Sequence, residues 1–263
     1  MIICAAGDIH GAIDRLYDDV LDFETHLGLA FDHILHVGDF GIWPDPSRID
    51  SATRRHDGAG DFQHWLTNNR AAPWPTTFIK GNHEDFDWLA EREAEDNLEI
   101  LPGLRYLPNG RRIDLTANDV TISVGGIGGC FAAADYAKQS SQLVGRARSH
   151  YTHDEVERLR AGGSLDLVLL HDAPAGVELA KHNRAGLETG RYVSDADGLA
   201  DVVLATKPRL CFFGHHHTRA EATIGETRCI GLNLVGRAGY LTAAAFAGSD
   251  GSHEILGEWL PAA

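Results

Sequence analysis

The chain has 263 residues, 43% of them hydrophobic and 23% charged, which is enough apolar material for a sizeable core and excludes a disordered polypeptide. Its formal net charge of -15 sets up a field that repels polyanions, so a general nucleic-acid-coating role is excluded and any phosphate-handling site must bring its own local positive charge. No apolar run approaches the ~20 residues of a membrane span, and Asp8 arrives too early for a signal peptide; a cytoplasmic protein without membrane contact is expected, its four cysteines free thiols.

In chain order, one local pattern recurs: a short apolar run, readable as a buried strand, ends in a cluster of Gly, Asp and His. Residues 2–6 lead into GDIHG, 33–37 into GDFG, 76–80 into GNHE, 166–170 into HDAP, and 209–213 into GHHH. Continuous β-rich runs of this length suit strands buried on both faces. Between the first two, Ile13, Leu16, Tyr17, Val20, Leu21 and Leu27 fall near helical spacing, Gly28 is a natural stop, and the acidic residues from Asp14 to Glu24 form the wet face. Further helices are expected within 60–70, 84–96, 152–161 and 195–206. From Glu221 onward, short β-rich runs broken by Gly, Asn, Asp and Ser predict antiparallel hairpins added to a second sheet. The glycines at 125, 126, 128 and 129 follow an apolar run and read as a strand-end turn. Strand–helix alternation predicts an α/β sandwich, and the absence of a linker or repeat predicts one domain over residues 1–263.

In open α/β sheets, ligands collect at the carboxyl ends of the strands. Five strand ends here carry Asp, Asn or His in the order D-x-H-G, G-D, G-N-H-E, H-D, G-H-x-H. Carboxylate oxygens and neutral imidazole nitrogens suit Mn, Fe and Zn ions. The candidate metal ligands are Asp8, His10, Asp39, Asn82, His171, His215 and His217. Two cations ~3.5–4 Å apart can clamp the attacking and leaving oxygens of an in-line displacement and lower the pKa of bound water. If the last motif is extended, His215 and His217 face one side and His216 the other. His33, His36, His56, His64, His150, His153, His182 and His253 lie outside these motifs and read as structural or surface residues, with His150 the nearest exception.

This ordered set resembles the calcineurin-like metallophosphoesterase superfamily, from Asp8 to His217. The resemblance implies a four-layer α-β-β-α sandwich with two mixed sheets and a dinuclear centre of two divalent metal ions at the carboxyl ends of the strands. It implies that Asp8, His10 and His217 bind one ion, that Asn82, His171 and His215 bind the other, and that Asp39 bridges them. His83 then sits beside the phosphate as the proton donor. Within the superfamily, GDFGIW, FIKGNHE, ILPGLRYLPNGRRIDL, VGGIGGCFAAADYAKQ, SHYTHDEVERL and LLHDAPAG are similar in order to the catalytic domain of the RNA lariat debranching enzymes. Those enzymes cleave 2′,5′-phosphodiester bonds, and the region matching 131–150 recognises branched RNA, which here contains Lys138, Arg146 and Arg148. His10 stands where those enzymes typically have Cys.

The expected function is a phosphodiesterase acting on a nucleotide or a short or branched nucleic acid, with Trp43 and the basic residues of 131–150 contacting the substrate and no obligate protein partner. The alternatives are a phosphomonoesterase such as a protein phosphatase, or a non-catalytic scaffold of the same fold. Protein phosphatases of the superfamily carry G-D-x-x-D-R-G and R-G-N-H-E, with arginines that grip a terminal phosphate. Here GDFGIW has no such Arg and Lys80 replaces the second, a point charge instead of a fork. A scaffold would have lost ligands, whereas all seven remain.

Overall fold

The structure, a computed structural model, describes residues 1–182, 187–247 and 252–261. In chain order its first half runs β1 (Ile2–Ala6), α1 (Ile13–Leu27), β2 (His33–His36), α2 (Asp61–Thr67), β3 (Thr76–Phe78), α3 (Phe86–Ala94), β4 (Glu99–Leu101), β5 (Leu104–Tyr106), β6 (Arg112–Ala117) and β7 (Val120–Ile127). The second half runs α4 (Ala133–Tyr136), α5 (His153–Ala161), β8 (Leu167–Leu170), β9 (Glu178–His182), β10 (Glu188–Val193), α6 (Leu199–Thr206), β11 (Leu210–Phe213), β12 (Ala220–Ile224), β13 (Thr227–Gly231), β14 (Leu241–Phe246) and β15 (His253–Glu258).

Two mixed sheets dominate, in the orders β15-β14-β1-β2-β3-β5-β4 and β12-β13-β11-β8-β7-β6. Strand alternation sorts the side chains into three apolar layers. In β1, Ile3 and Ala5 face the second sheet, while Cys4 and Ala6 face α1 and α2. In β11, Leu210 and Phe212 join that same inter-sheet layer, while Cys211 and Phe213 pack outward with Val202 and Val203 of α6 and Val156 and Leu159 of α5. The order is helix, sheet, sheet, helix: the four-layer sandwich expected. All five expected strands form, and each expected helix falls within its range, while the short α4 was not expected.

The differences are instructive. In α1 the buried stripe is Ile13, Leu16, Tyr17, Val20 and Phe23, whereas Leu21 is 54% exposed, one position off the stripe. Gly28 ends α1 in the left-handed region at φ 66°. The tail hairpins divide between sheets. β12 and β13 extend the second sheet, with β13 parallel to β11. β14 instead joins the first sheet antiparallel to β1, pairing Ala245 with Ile2, and β15 follows it. Gly125 and Gly126 lie inside β7 rather than in a turn; a Cβ on Gly126 would press on Ile79. β9 and β10 form a separate two-stranded hairpin that the sequence pattern did not announce. No helix among the described residues is long and apolar enough to cross a membrane.

Candidate metal centre

The parallel register of β1, β2 and β3, and of β8 and β11, delivers five loops to one edge of the sandwich. Asp8 and His10 follow β1, Asp39 follows β2, Asn82 and His83 follow β3, His171 follows β8, and His215 and His217 follow β11. Ligand atoms of Asp8, His10, Asp39 and His217 all lie within 4.8 Å of one another. The remaining candidates meet on the other side of Asp39: His171 Nε2 lies 3.0 Å from Asn82 Oδ1, and the His171 and His215 rings are 5.1 Å apart. Asp39 Oδ2 sits between the two groups, 3.7 Å from His10 Nε2 and 3.6 Å from His171 Nε2. The seven residues picked out by motif are thus brought together.

Backbone contacts hold this arrangement. Asp39 Oδ1 accepts the N–H groups of Asn82 (2.7 Å) and His83 (2.8 Å). That close approach explains the glycine of G-N-H-E, because a Cβ on Gly81 would lie 2.0 Å from Asp39 Oδ1. Asp8 Oδ2 accepts the His215 N–H (2.9 Å) and lies 3.1 Å from His217 Nε2. Glu84 is buried and accepts the N–H groups of Phe40, Gly41 and Ile42, fixing the loop just after Asp39. His10, Asp39, His215 and His217 all have positive φ, between 47° and 65°. Such backbone costs about 1–3 kcal/mol per residue and persists only where the surroundings over-determine it. The last motif is therefore not extended, as a simple alternation of faces assumes. His216 groups with His215 and Asp172, ligand atoms within 4.8 Å of one another, and is held rather than exposed: Nε2 lies 2.9 Å from Asp172 Oδ1 and Nδ1 2.6 Å from the Tyr192 hydroxyl on β10.

Electrostatics favour cations here. Burial alone would push up the pKa of Asp8 and Asp39, yet the surrounding imidazoles hold both carboxyls below the usual range. Burial drives His10 and His215 down to about 4, so both are neutral donors. Two fully buried carboxylates with no Lys or Arg partner among the described residues need compensation, and divalent ions fit this oxygen and nitrogen donor set. His217 behaves differently: burial opposes its charged form, but the Asp8 hydrogen bond and the charges of Asp8 and Asp39 outweigh it and raise its pKa. A proton on His217 must leave before that nitrogen can coordinate. The Kd for the Mn²⁺ that His217 would help to hold is accordingly expected to rise as pH falls through the acidic range, with a proton released on binding of that ion in titration calorimetry. An affinity flat across that range would remove His217 from the ligand set.

The expected substrate contacts are rearranged. Trp43 is only 5% exposed and cannot offer a stacking face, a correction to its expected role. Lys80 is also buried; its ammonium donates to the carbonyls of Arg148 (2.8 Å) and His150 (3.3 Å), so it braces the 131–150 segment and does not reach for phosphate. Arg148 pairs with Asp87 at 2.7 Å and Lys138 with Asp135 at 2.6 Å. Arg146, 65% exposed, points back to Asp50, with 3.9 Å between Nη1 and Oδ2. His150 is tied to Asp135.

Two further residues enter the site unannounced. Asp50 Oδ2 lies 2.6 Å from His83 Nδ1. Burial works against a charged His83, but this hydrogen bond and the charges of Asp39 and Asp50 win and raise its pKa. His56 stacks on His10 with ring centroids 4.1 Å apart and planes 15° apart. Both sit in the stretch 44–60, which holds two short 3-10 helices and no motif that flags them.

Known proteins share this chain's pattern. It is 25% identical over 243 residues to the lariat debranching enzyme of Drosophila melanogaster, matching 85% of this chain and 44% of that one. It is 23% identical over 250 residues to the Entamoeba histolytica lariat debranching enzyme, matching 89% and 69% respectively. The chain therefore spans less than half the length of the Drosophila relative. The solved structure of TT1561 from Thermus thermophilus superposes with a TM-score of 0.55 over 92% of both chains at 15% identity, a likeness of fold. The family model for calcineurin-like phosphoesterases matches residues 1–219, which takes in β1 through the final His cluster, and with that span and this convergence of donors the chain belongs to the calcineurin-like phosphoesterase family.

Proposed function

We propose that this chain is a dinuclear metal-dependent phosphodiesterase acting on a nucleotide or a short or branched nucleic acid. The observation that carries the reading is the placement of Asp39 Oδ2 between His10 and His171, where one carboxylate can serve two cations. Asp8, His10 and His217 would hold one ion, and Asn82, His171 and His215 the other, with Asp39 shared. When bound, such ions supply Lewis acidity toward the phosphoryl oxygens and a water activated near neutral pH. The chain supplies the rest. The Asp39 carboxylate fixes the His83 backbone, and Asp50 fixes its Nδ1, leaving Nε2 to deliver a proton to the leaving oxygen. Arg146 stands at the rim, exposed enough to swing to a second phosphate or a nucleoside. The debranching relatives support a nucleic-acid substrate.

A diester is favoured over a monoester because no arginine fork grips the site. A monoester carries nearly two charges at neutral pH and draws on bidentate Arg donors. Among the described residues Lys80 and Arg148 are already committed to partners, Arg146 pairs at the rim with Asp50, and Arg237 acts on His217 only as a through-space charge. With Mn²⁺ supplied, kcat/KM for bis-p-nitrophenyl phosphate is expected to exceed that for p-nitrophenyl phosphate by at least about tenfold, the worth of one charge-assisted contact. A monoester preference would transfer the protein to the phosphomonoesterases. Comparison of 2′,5′- and 3′,5′-dinucleotides then tests the debranching analogy: equal rates would retain the reaction class and discard the branch-point substrate.

A further inference from the structure

The stretch 44–60 leaves the first sheet just after Asp39 and returns against the loop that carries His10. The return is close: a Cβ on Gly11 would lie 2.5 Å from the Gly58 carbonyl oxygen. Local hydrogen bonds shape the excursion. Asp45 accepts the Ser47 N–H, Asp50 Oδ1 accepts those of Ala52 and Thr53, and the His56 N–H caps the Thr53 carbonyl. The outcome is a half-buried imidazole laid flat on His10 and edge-on to His217, with ring centroids 4.1 Å and 6.4 Å away. Neither His56 ring nitrogen has a hydrogen-bond partner among the described residues. The ring is half-buried and neither nitrogen is among the sealed, unpaired polar atoms of the interior, so both stay open to a ligand.

Stacking decides what His56 can do. The two rings are near-parallel, so an ion that His10 would hold in its own ring plane could not be held by His56 as well. A ring laid on His10 with its nitrogens unpaired is instead suited to meet what such an ion would hold. We propose that His56 is a substrate-binding residue that donates a hydrogen bond to a phosphoryl oxygen of the ester beside His10. The excursion then contributes twice, through Asp50 to the proton donor and through His56 to the phosphate. This assignment rests on the metallophosphodiesterase reading above.

The test compares wild type with His56→Ala and His56→Gln, the latter retaining a donor on a flexible arm. Mn content per chain, the Kd of inorganic phosphate for the Mn-loaded protein by calorimetry, and kcat/KM for bis-p-nitrophenyl phosphate are measured on each, with thermal unfolding as the folding check. His56→Ala is expected to keep the wild-type Mn content while phosphate affinity and kcat/KM each fall about 10- to 100-fold, as for loss of one hydrogen bond to a charged group. His56→Gln should recover part of both. Phosphate affinity and kcat/KM within threefold of wild type in His56→Ala would overturn the assignment. So would a loss of Mn whose effects vanish at excess Mn²⁺, since His56 would then act on the ion. A wild-type protein that binds no Mn and hydrolyses neither ester would instead sink the metallophosphodiesterase reading, and this assignment with it.

Discussion

Asp39→Asn is expected to lower turnover by at least about 10³-fold, the upper end for removal of a single preorganised electrostatic group, while the fold survives. The geometry separates the two consequences. Oδ1 accepts the Asn82 and His83 N–H groups, and the amide oxygen of Asn can take over both bonds. The amide nitrogen then falls at the Oδ2 position, 3.7 Å from His10 Nε2 and 3.6 Å from His171 Nε2. There it presents two N–H donors where the cluster needs an anionic acceptor. The loop geometry is therefore kept, and the thermal midpoint of the metal-free protein should move by no more than about 4 °C, equivalent to roughly 1 kcal/mol for a chain of this size. Metal analysis should show the stoichiometry falling from two ions per chain to one or none. An Asp39→Asn protein holding two Mn per chain at normal turnover would show that Asp39 does not join two ions.

Why Asp39 and its neighbours could be found in the sequence, and Asp50 and His56 could not, has a physical basis. Each motif ligand directly follows a short apolar strand, so its position along the chain reports its position at the sheet edge. Register then does the gathering: Ala6 lies beside His36, and Leu170 beside Phe213. Asp50 and His56 lie in a stretch with no hydrophobic period, and their approach to His83 and His10 comes from a chain reversal shaped by side-chain-to-backbone bonds. No local spacing encodes that. The division of the tail hairpins was hidden for a related reason. The small and apolar run of β14 fits either sheet, and its partner β1 is more than two hundred residues away. Trp43 and Lys80 show a different limit. Aromatic and basic residues beside a phosphate site read as contacts, but burial assigned Lys80 to the carbonyls of Arg148 and His150 and closed the face of Trp43. Composition does not reveal which polar side chains the interior has already claimed.

His83→Ala should leave both metal sites intact and lower kcat about 10²–10⁴-fold, the usual worth of a positioned general acid. The His83 ring meets His10 only edge-on, with centroids 5.4 Å apart, and the bond from its backbone N–H to Asp39 Oδ1 survives truncation. The loss should depend on the leaving group. A p-nitrophenolate leaves with little need of a proton and should show the smaller loss, whereas an alkyl diester should show the full one. Asp50 gives an independent handle. Its carboxylate, 2.6 Å from His83 Nδ1, favours the protonated ring against the cost of burial. Asp50→Asn removes that charge while keeping an acceptor for the Ala52 and Thr53 N–H groups. The His83 pKa should therefore fall, and because the acid must hold its proton, the alkaline limb of the kcat–pH profile should move to lower pH. Mn content should be unchanged in both variants. Equal losses for p-nitrophenyl and alkyl diesters in His83→Ala, together with an unmoved alkaline limb in Asp50→Asn, would assign the pair to holding the excursion in shape and leave the leaving-group proton to another donor.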